Sequence, residues 1–240
     1  MDWTDEGIVL AVRRHGETAA IASLLTVEHG RHPGLVRGGA GRRQRGTLQV
    51  GNRVQAHWRA RLAEHLGTYT LELCNAGAAQ VIDDPLRLAA LSAACSLAEA
   101  ALPEREPHAK AFAGLTALID ELGRNGVWQA QYVAWELALL TDLGFGLDLG
   151  SCAATGRNDQ LAYVSPKSGR AVSLAAGEPY RDRLLPLPAF LLDGGACDTT
   201  DILGGLALTG HFLECHVLEP MGRGLPPARA RFVERLETAR

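Results

Sequence analysis

The character of the chain changes near residue 80, and this change limits the folds open to it. Before that point lie five short runs that are rich in β-branched residues or alternate apolar with polar residues, separated by turn signals such as His15-Gly16 and His29-Gly30. The runs cover Gly7–Arg13, Ala20–Val27, Pro33–Arg37, Val50–Arg61 and Thr68–Asn75. Five strands in so short a segment predict a small barrel over residues 1–80.

Beyond residue 80 the pattern is helical. Asp83-Asp84-Pro85 indicates a helix start, because acidic residues and proline both suit the first turn, and the Ala- and Leu-rich run extends to Leu102. Further helices are predicted over residues 108–123, 127–143, 198–218 (interrupted by Gly204-Gly205) and 228–238. Within them, at about 145–180, we expect an inserted knuckle whose hairpin joins residues 161–164 to 171–174 through Ser165–Gly169. The prediction is an α+β protein with an N-terminal domain, 1–80, and a helical domain, 81–240.

Charge is distributed unevenly along the chain. The 24 basic and 27 acidic residues give a net charge of −3, yet residues 1–80 carry a net +3 and the remainder −6. No Asp or Glu occurs from Arg31 to Arg61, a segment that holds eight arginines. Such an asymmetry is typical of a polyanion site, because neutralising phosphates releases condensed counterions. A solvated, arginine-rich loop is the alternative interpretation.

Part of this charge lies on a predicted loop between the third and fourth strands. Gly38–Gly41 precedes Arg42, Arg43 and Arg45, and a flexible basic loop on a five-stranded barrel is a recurrent way of holding single-stranded nucleic acid. Trp58 lies among the arginines of the fourth strand, where it could stack on a base or, pointing the other way, fill the core. The residues expected to contact DNA are Arg31, Arg37, Arg42, Arg43, Arg45, Arg53, Arg59, Arg61 and Trp58.

Catalytic and metal motifs fit poorly. The segment Gly150–Gly156 has five residues between its glycines, where a phosphate-binding loop has four, and Arg157 and Asn158 replace its Lys and Ser/Thr. His211 and Cys215 are one helical turn apart, but only two ligands align, so we expect a helix with partly buried polar residues rather than a metalloenzyme site. No spacing of nucleophile and base is recognisable, and we expect a protein that is not an enzyme.

Three segments are diagnostic by their order and spacing: EHGRHPGLVRGGAGRR (28–43), ELALLTDLGFGLDLGSCAATG (136–156) and Tyr163 with the Ser165–Gly169 hairpin. Through these segments the chain resembles, from about Trp3 to Leu236, the RecO family of bacterial recombination mediators. The resemblance implies an N-terminal OB-fold, a central helical domain and a zinc-ribbon-like insertion. It also implies binding of single- and double-stranded DNA, annealing of complementary strands, and partnership with RecR and the C-terminal tail of single-strand-binding protein, so that RecA can load.

The chain departs from the family at two places. Members with zinc present two C-x-x-C pairs, whereas here the first reads Cys152-Ala-Ala-Thr155 and no second pair exists, so we expect a metal-free knuckle and no cofactor. Some relatives have arginine before the aromatic-Glu pair of the central helix, where this chain has Val133–Glu136. Lys110, Arg124 or the exposed arginines of the C-terminal half would then meet an acidic tail.

Location and an alternative function complete the expectations. No apolar run is long enough to span a membrane, and the N-terminus lacks a basic segment before an apolar one, so we expect a cytoplasmic protein associated with the nucleoid. The alternative to DNA binding is a protein-docking module in which the arginines meet acidic peptide tails and touch little DNA.

Overall fold

A computed structural model describes residues 1–124 and 126–239 of the chain. It forms two compact units, one made of Met1–Gly126 with Pro226–Phe232 and the other of Val127–Leu225 with Val233–Arg240. In the described residues no helix combines the length and apolar character needed to cross a membrane.

The first unit contains a closed barrel of five strands. They are β1 (Asp2–His15), β2 (Ala19–Thr26), β3 (Gly30–Val36), β4 (Arg53–Arg59) and β5 (Thr68–Asn75). The strands follow the order β1-β2-β3-β5-β4 around the barrel, and β4 pairs back onto β1. All neighbours are antiparallel except β3 and β5, which are parallel. The barrel expected from the five runs is confirmed, and it is of the OB type.

Strand β1 is longer than the run that predicted it, because it serves two neighbours. Its first half, Asp2–Ile8, pairs with β4, and its second half, from Gly7 onward, pairs with β2. The register shifts between Val9 and Ala11, as at a β-bulge, which lets one strand turn the corner of a small barrel. The polar first residues gave no apolar alternation from which this half could be recognised.

Alternation along β4 separates the barrel core from its outer surface. Val54, Ala56 and Trp58 are buried, while His57 and Arg59 are exposed. The core also takes in side chains from each of the other four strands, among them Val9, Leu24, Val36, Tyr69 and Leu71. Burying this apolar surface stabilises the barrel and fixes which face each arginine of β4 must occupy.

A short helix and three further helices complete the first unit together with its 226–232 segment. They are α1 (Arg42–Arg45), α2 (Gly77–Gln80), α3 (Pro85–Ala101) and α4 (Ala109–Leu122). The predicted start of α3 is confirmed: Asp84 is the N-cap, its carboxylate accepts hydrogen bonds from the backbone N–H groups of Leu86 and Arg87, and Pro85 occupies the first turn.

Helix α3 packs directly on the barrel. A Cβ placed on Gly51, which has φ +88°, would lie 2.6 Å from Leu91 Cδ1, so only glycine allows this close approach. Because α3 buries its apolar face on β1 and β2, the compact unit that contains the barrel extends to residue 126. The division into an N-terminal domain, 1–80, and a helical domain, 81–240, stays a prediction.

The second unit is built on two packed helices, α5 (Gln129–Asp142) and α8 (Thr199–Phe212). The predicted interruption of α8 at Gly204-Gly205 is wrong, because the helix continues through both glycines. A Cβ on Gly205 would lie 2.8 Å from Val133 of α5, so this glycine permits the contact between the helices. Across the same contact, Thr209 donates a short, buried hydrogen bond to Glu136. Beyond Phe212 the helix continues as a π-helix, Leu213–Leu218.

The predicted hairpin of the knuckle is confirmed within a three-stranded sheet. Strands β6 (Leu161–Val164) and β7 (Ala171–Ser173) pair antiparallel, α6 (Leu174–Gly177) follows, and β8 (Leu185–Pro186) adds to the other edge of β6. The remaining helices are α7 (Phe190–Asp193) and α9 (Pro227–Thr238).

The cysteine of the knuckle does not lie in a set of metal ligands. Cys152 is buried, and its sulfur accepts a hydrogen bond from the backbone N–H of Ser173 at 3.2 Å. Across residues 1–124 and 126–239, no three His, Cys, Asp or Glu side chains come together in a way that could hold a metal ion. The described residues therefore do not fit a zinc site of the kind that the resemblance implies.

Candidate nucleic-acid interface

The first of the expected DNA-contacting arginines, Arg31, is a structural residue. Its side chain is buried, Nε donates to the carbonyl oxygen of Leu102 at 2.7 Å, and Nη1 lies 3.2 Å from Glu99 and 3.3 Å from Glu104. Leu102 is the C-cap of α3, so the guanidinium satisfies the end of this helix, where the backbone dipole favours a cation. Arg31 ties β3 to α3, and the donors on Nε and Nη1 are directed to partners inside the protein.

Strand pairing places acidic residues beside the arginines of β4. Asp2 on β1 is paired with Arg59, and Arg53 Nη1 lies 3.8 Å from Glu6 Oε1. Glu6 and Glu72 flank Gln55 from the two neighbouring strands. The interval from Arg31 to Arg61 is therefore free of acids along the chain but not across the sheet, and its positive potential is weakened on the outer face of β4.

The basic loop, residues 38–46, keeps its charges exposed. Arg37, just before it, and Arg42, Arg43 and Arg45 within it are all exposed, and none of the four forms an ion pair with any described residue. The three loop arginines form the single turn of α1. These four guanidinium groups are the strongest concentration of uncompensated positive charge in the barrel.

Backbone contacts hold the basic loop against the turn between β1 and β2. The N–H of Ala40 donates to the carbonyl oxygen of Thr18 at 3.0 Å, and a Cβ on Gly39 would lie 2.8 Å from the Cβ of Ala20. Gly38 has φ +69°, a left-handed conformation that favours glycine. The glycines thus allow close packing and a tight turn, so the loop is more ordered than a flexible linker.

Two further exposed arginines, which the sequence analysis missed, lie next to this loop. Arg13 and Arg14 are at the end of β1, and Arg14 is paired with Ala20, the residue against which Gly39 packs. Glu17 and Glu28 separate them along the chain from the arginine-rich interval. The turn signal at His15-Gly16 predicts a hairpin between β1 and β2, and that hairpin could have indicated that these arginines lie near the basic loop.

A cleft of about 590 Å³ lies between the basic loop and the outer face of β4 and β5. We call it the arginine cleft. The polar side chains that line it are Arg37, Gln44, His57, Arg59, Thr68 and Thr70. His57 Nδ1 is 3.0 Å from the hydroxyl oxygen of Thr4, which orients the imidazole. Guanidinium and hydroxyl groups are the donors that commonly contact phosphate oxygens, so this cleft can receive a segment of sugar-phosphate backbone.

Trp58 lies between His57 and Arg59 on β4 but faces the opposite side of the strand, and Arg61 follows the end of β4. Trp58 is only 1% exposed, and its indole N–H donates to the carbonyl oxygen of Leu66 at 3.0 Å. A Cβ on Gly67 would lie 2.3 Å from the indole nitrogen, so the loop after β4 covers the ring. Of the two alternatives for Trp58, the structure shows the core position, and we omit it from the interface. Arg61 is exposed on that loop.

The remaining candidate residues are a possible metal pair and the cations expected to meet an acidic tail. His211 Nδ1 is 3.9 Å from Cys215 Sγ, and these two residues remain a pair without a third metal ligand among the described residues. Of the residues named for an acidic tail, Lys110 is exposed in the first turn of α4, and Arg124 lies 3.3 Å from Glu121.

Comparison with known proteins covers nearly the whole chain. A family model described as "Recombination protein O N terminal" matches residues 1–76, and one described as "Recombination protein O C terminal" matches residues 82–223. The DNA repair protein RecO of Rhodospirillum centenum is 59% identical over 241 residues, covering 100% of this chain and 96% of the relative. Its namesakes in Rhodospirillum rubrum and Phenylobacterium zucineum are 54% and 53% identical, covering 98% and 100% of this chain and 96% and 99% of the relatives.

Proposed function

This chain belongs to the RecO family of DNA repair and recombination proteins, and from that membership we propose that it binds single-stranded DNA through the barrel and anneals complementary strands. The observation that carries the proposal is the group of four exposed arginines without ion pairs, Arg37, Arg42, Arg43 and Arg45, beside the arginine cleft. Arg13 and Arg14 beside the basic loop and Arg59 in the cleft extend the same surface, and Arg61 is exposed on the loop after β4.

The proposed contact is with the DNA backbone and not with base sequence. Guanidinium groups remain protonated and can form two parallel hydrogen bonds to a phosphate, so a row of them binds any strand. Neutralising phosphates also releases counterions, which makes the affinity fall as salt rises. A surface loop that presents such charges holds a strand without enclosing it.

Annealing requires no covalent chemistry in this mechanism. Two strands bound on one basic surface repel each other less, because the arginines neutralise part of the charge on both phosphate chains. Contacts to phosphate leave the base edges free to pair, so the strands can search for complementarity while they remain bound.

The proposed partners follow from the same family membership. We include RecR, the acidic C-terminal tail of single-strand-binding protein, and RecA, which would load on strands that this protein and RecR have made accessible. Because these strands are chromosomal DNA covered by single-strand-binding protein, we also propose that the protein acts in the cytoplasm, at the nucleoid. Double-stranded DNA is a further proposed ligand, because its backbone presents the same phosphates.

A protein-docking module is the second candidate, and the same exposed arginines favour it. A peptide rich in Asp and Glu carries carboxylates that can pair with guanidinium groups much as phosphates do. The two functions are separable by competition, because an acidic peptide that displaces all bound DNA must occupy the DNA surface.

The test is a fluorescence anisotropy titration of a labelled single-stranded oligonucleotide at two salt concentrations, with and without RecR and an acidic tail peptide. We expect binding whose affinity decreases at the higher salt concentration, and faster pairing of two complementary strands in a quenching assay. Absence of binding at low salt, or an affinity that does not change with salt concentration, would overturn the proposal. Binding of the peptide without DNA would establish the docking module instead.

A further inference from the structure

A second cavity, of about 400 Å³, opens at the end of the barrel where β1 begins and β4 ends. We call it the aromatic pocket. Its walls come from the first residues of β1, the turn between β2 and β3, the end of β4, the loop after it, and the segment that follows α3. The side chains that matter here are Trp3, His29, His32, Trp58 and Arg105.

Aromatic rings form one continuous wall of this pocket. The rings of Trp3 and His29 are stacked, with centroids 4.0 Å apart and planes 9° apart, and Trp3 also stacks on Trp58 at 5.5 Å and 17°. His32 meets Trp3 and Trp58 edge-on at 5.2 Å and 4.9 Å. His29 is further held by Asp5, whose Oδ2 lies 3.0 Å from Nδ1 of the imidazole. These stacked and edge-on contacts hold the rings in fixed positions, so the wall is preorganised.

Two of the lining residues, His32 and Arg105, carry a hydrogen-bond acceptor and a donor without a partner among the described residues. Burial lowers the pKa of His32 to about 4, so the ring is neutral at pH 7. Its Nδ1 lies 3.0 Å from the carbonyl oxygen of Pro33 and carries the proton that makes this bond. The other nitrogen, Nε2, is then an acceptor, because a neutral imidazole has only one N–H.

The donor belongs to Arg105. Its Nη2 donates to the carbonyl oxygen of His65 at 3.1 Å, and its backbone N–H donates to the carbonyl oxygen of Arg31 at 2.9 Å. Its Nε is buried and finds no hydrogen-bond partner among residues 1–124 and 126–239. The backbone of Arg105 has φ 62°, so these contacts hold a left-handed conformation that arginine rarely adopts.

We propose that the aromatic pocket binds one unpaired nucleobase of a DNA strand whose backbone lies on the arginines of β4. The inference rests on the DNA binding proposed above and adds a base-binding site to it. A nucleobase is flat, has a π-face that stacks on aromatic side chains, and presents donors and acceptors at its edge. Those are the features that Trp3, His32 and Arg105 complement.

The surroundings favour a base over an acidic peptide. Asp2 and Glu28 both line the pocket, and their carboxylates would repel the acidic side chains of a peptide tail but not a neutral base. Arg59 and Arg61 are exposed and lie within three residues of Trp58 along the chain, so guanidinium groups are available for neighbouring phosphates of the same strand. Paired bases of a duplex cannot enter, so the pocket favours single strands.

The test compares an oligodeoxythymidine with an abasic deoxyribose-phosphate strand of equal length, which has the same charges and no bases. Variants Trp3→Ala and Arg105→Asn remove the stacking wall and the donor; asparagine suits the left-handed backbone of residue 105 better than alanine does. We expect Trp3→Ala to weaken binding of the thymidine strand about 5- to 100-fold and to leave binding of the abasic strand unchanged. Trp3→Phe, which keeps an aromatic ring, should weaken binding of the thymidine strand less than Trp3→Ala does.

The outcomes separate this inference from the proposed function. Loss of the arginines of the basic loop should weaken the binding of both strands. Loss of Trp3 should weaken the binding of the thymidine strand only. Equal effects of Trp3→Ala on both strands, or no effect on either, would overturn the base pocket and leave backbone binding intact. Failure of the unsubstituted protein to bind either strand would overturn both.

Photocross-linking gives an independent measurement on the unsubstituted protein. A strand that contains 5-iodouracil should attach to a peptide carrying Trp3, His29 or His32, and excess oligodeoxythymidine should suppress the product. Attachment only to the basic loop would contradict the pocket. Suppression by an acidic peptide with an aromatic residue, but not by oligodeoxythymidine, would assign the pocket to a protein ligand.

Discussion

The guanidinium of Arg31 lies 3.2 Å from the carboxylate of Glu99, which is 68 residues further along the chain. The same carboxylate accepts a hydrogen bond from the hydroxyl of Ser23 at 2.5 Å, so β2, β3 and α3 meet at one charged group. A residue that sequence patterning assigns to a DNA-binding surface is therefore the link between the barrel and its first long helix.

Replacing Arg31 by alanine should destabilise the protein by about 2–4 kcal/mol, because it leaves the Leu102 carbonyl and the Glu99 carboxylate without their cation. Urea unfolding of the variant and the unsubstituted protein measures the difference. Measured under conditions where the variant is folded, its DNA affinity and salt dependence should be unchanged. Full stability combined with weaker DNA binding would return Arg31 to the interface.

Replacing Arg42, Arg43 and Arg45 together by alanine should weaken binding of single-stranded DNA and reduce the slope of log affinity against log salt by about 2. Each lost phosphate contact on a single strand lowers that slope by about 0.7. A matched control removes the same charge from exposed arginines of the other unit, through Arg157→Ala, Arg170→Ala and Arg183→Ala. Equal effects of the two triple variants would show that only net charge matters.

Stability should fall as pH decreases from 6.5 to 4, with His32 as one cause. Burial lowers the pKa of His32 from 6.5 to about 4, so within that range the unfolded chain binds a proton that the folded protein excludes. The stabilisation is complete above pH 6.5 and is lost as pH falls to 4. Thermal unfolding across this range should show a weaker pH dependence for His32→Gln than for the unsubstituted protein.

The control for His32 is His15→Gln, since His15 is exposed on β1. This variant should follow the pH dependence of the unsubstituted protein. An identical pH dependence for His32→Gln would contradict the assignment of a buried neutral imidazole.

Alanine at Gly30 should be far more destabilising than alanine at Gly38, although the two glycines share a left-handed backbone. Gly30 has φ +63° and Gly38 has φ +69°, so both substitutions incur a conformational cost of about 1–2 kcal/mol. A Cβ on Gly30 would also lie 1.9 Å from the carbonyl oxygen of Glu106, while nothing lies within 4 Å of one on Gly38. Denaturant unfolding of both variants measures the gap, and equal losses would contradict this packing of the 103–107 segment against the barrel.

Local patterns were sufficient to predict the type and order of most elements. Alternation along β4, the Asp84-Pro85 start of α3 and the turn between β6 and β7 each depend on residues a few positions apart, which is the range over which backbone geometry responds to sequence. The continuous helix at Gly204-Gly205 was missed because its cause is the close approach of Val133, more than 70 residues away.

Local sequence patterns alone place an arginine-rich segment without acids on a small barrel followed by helices. Which of those arginines face solvent without an ion pair depends on contacts between distant parts of the chain. Strand register put Asp2 beside Arg59, helix packing put Glu99 beside Arg31, and the turn between β1 and β2 brought Arg14 near the basic loop. The electrostatic environment of a side chain depends on distances through space, and folding makes neighbours of charges that the chain keeps far apart.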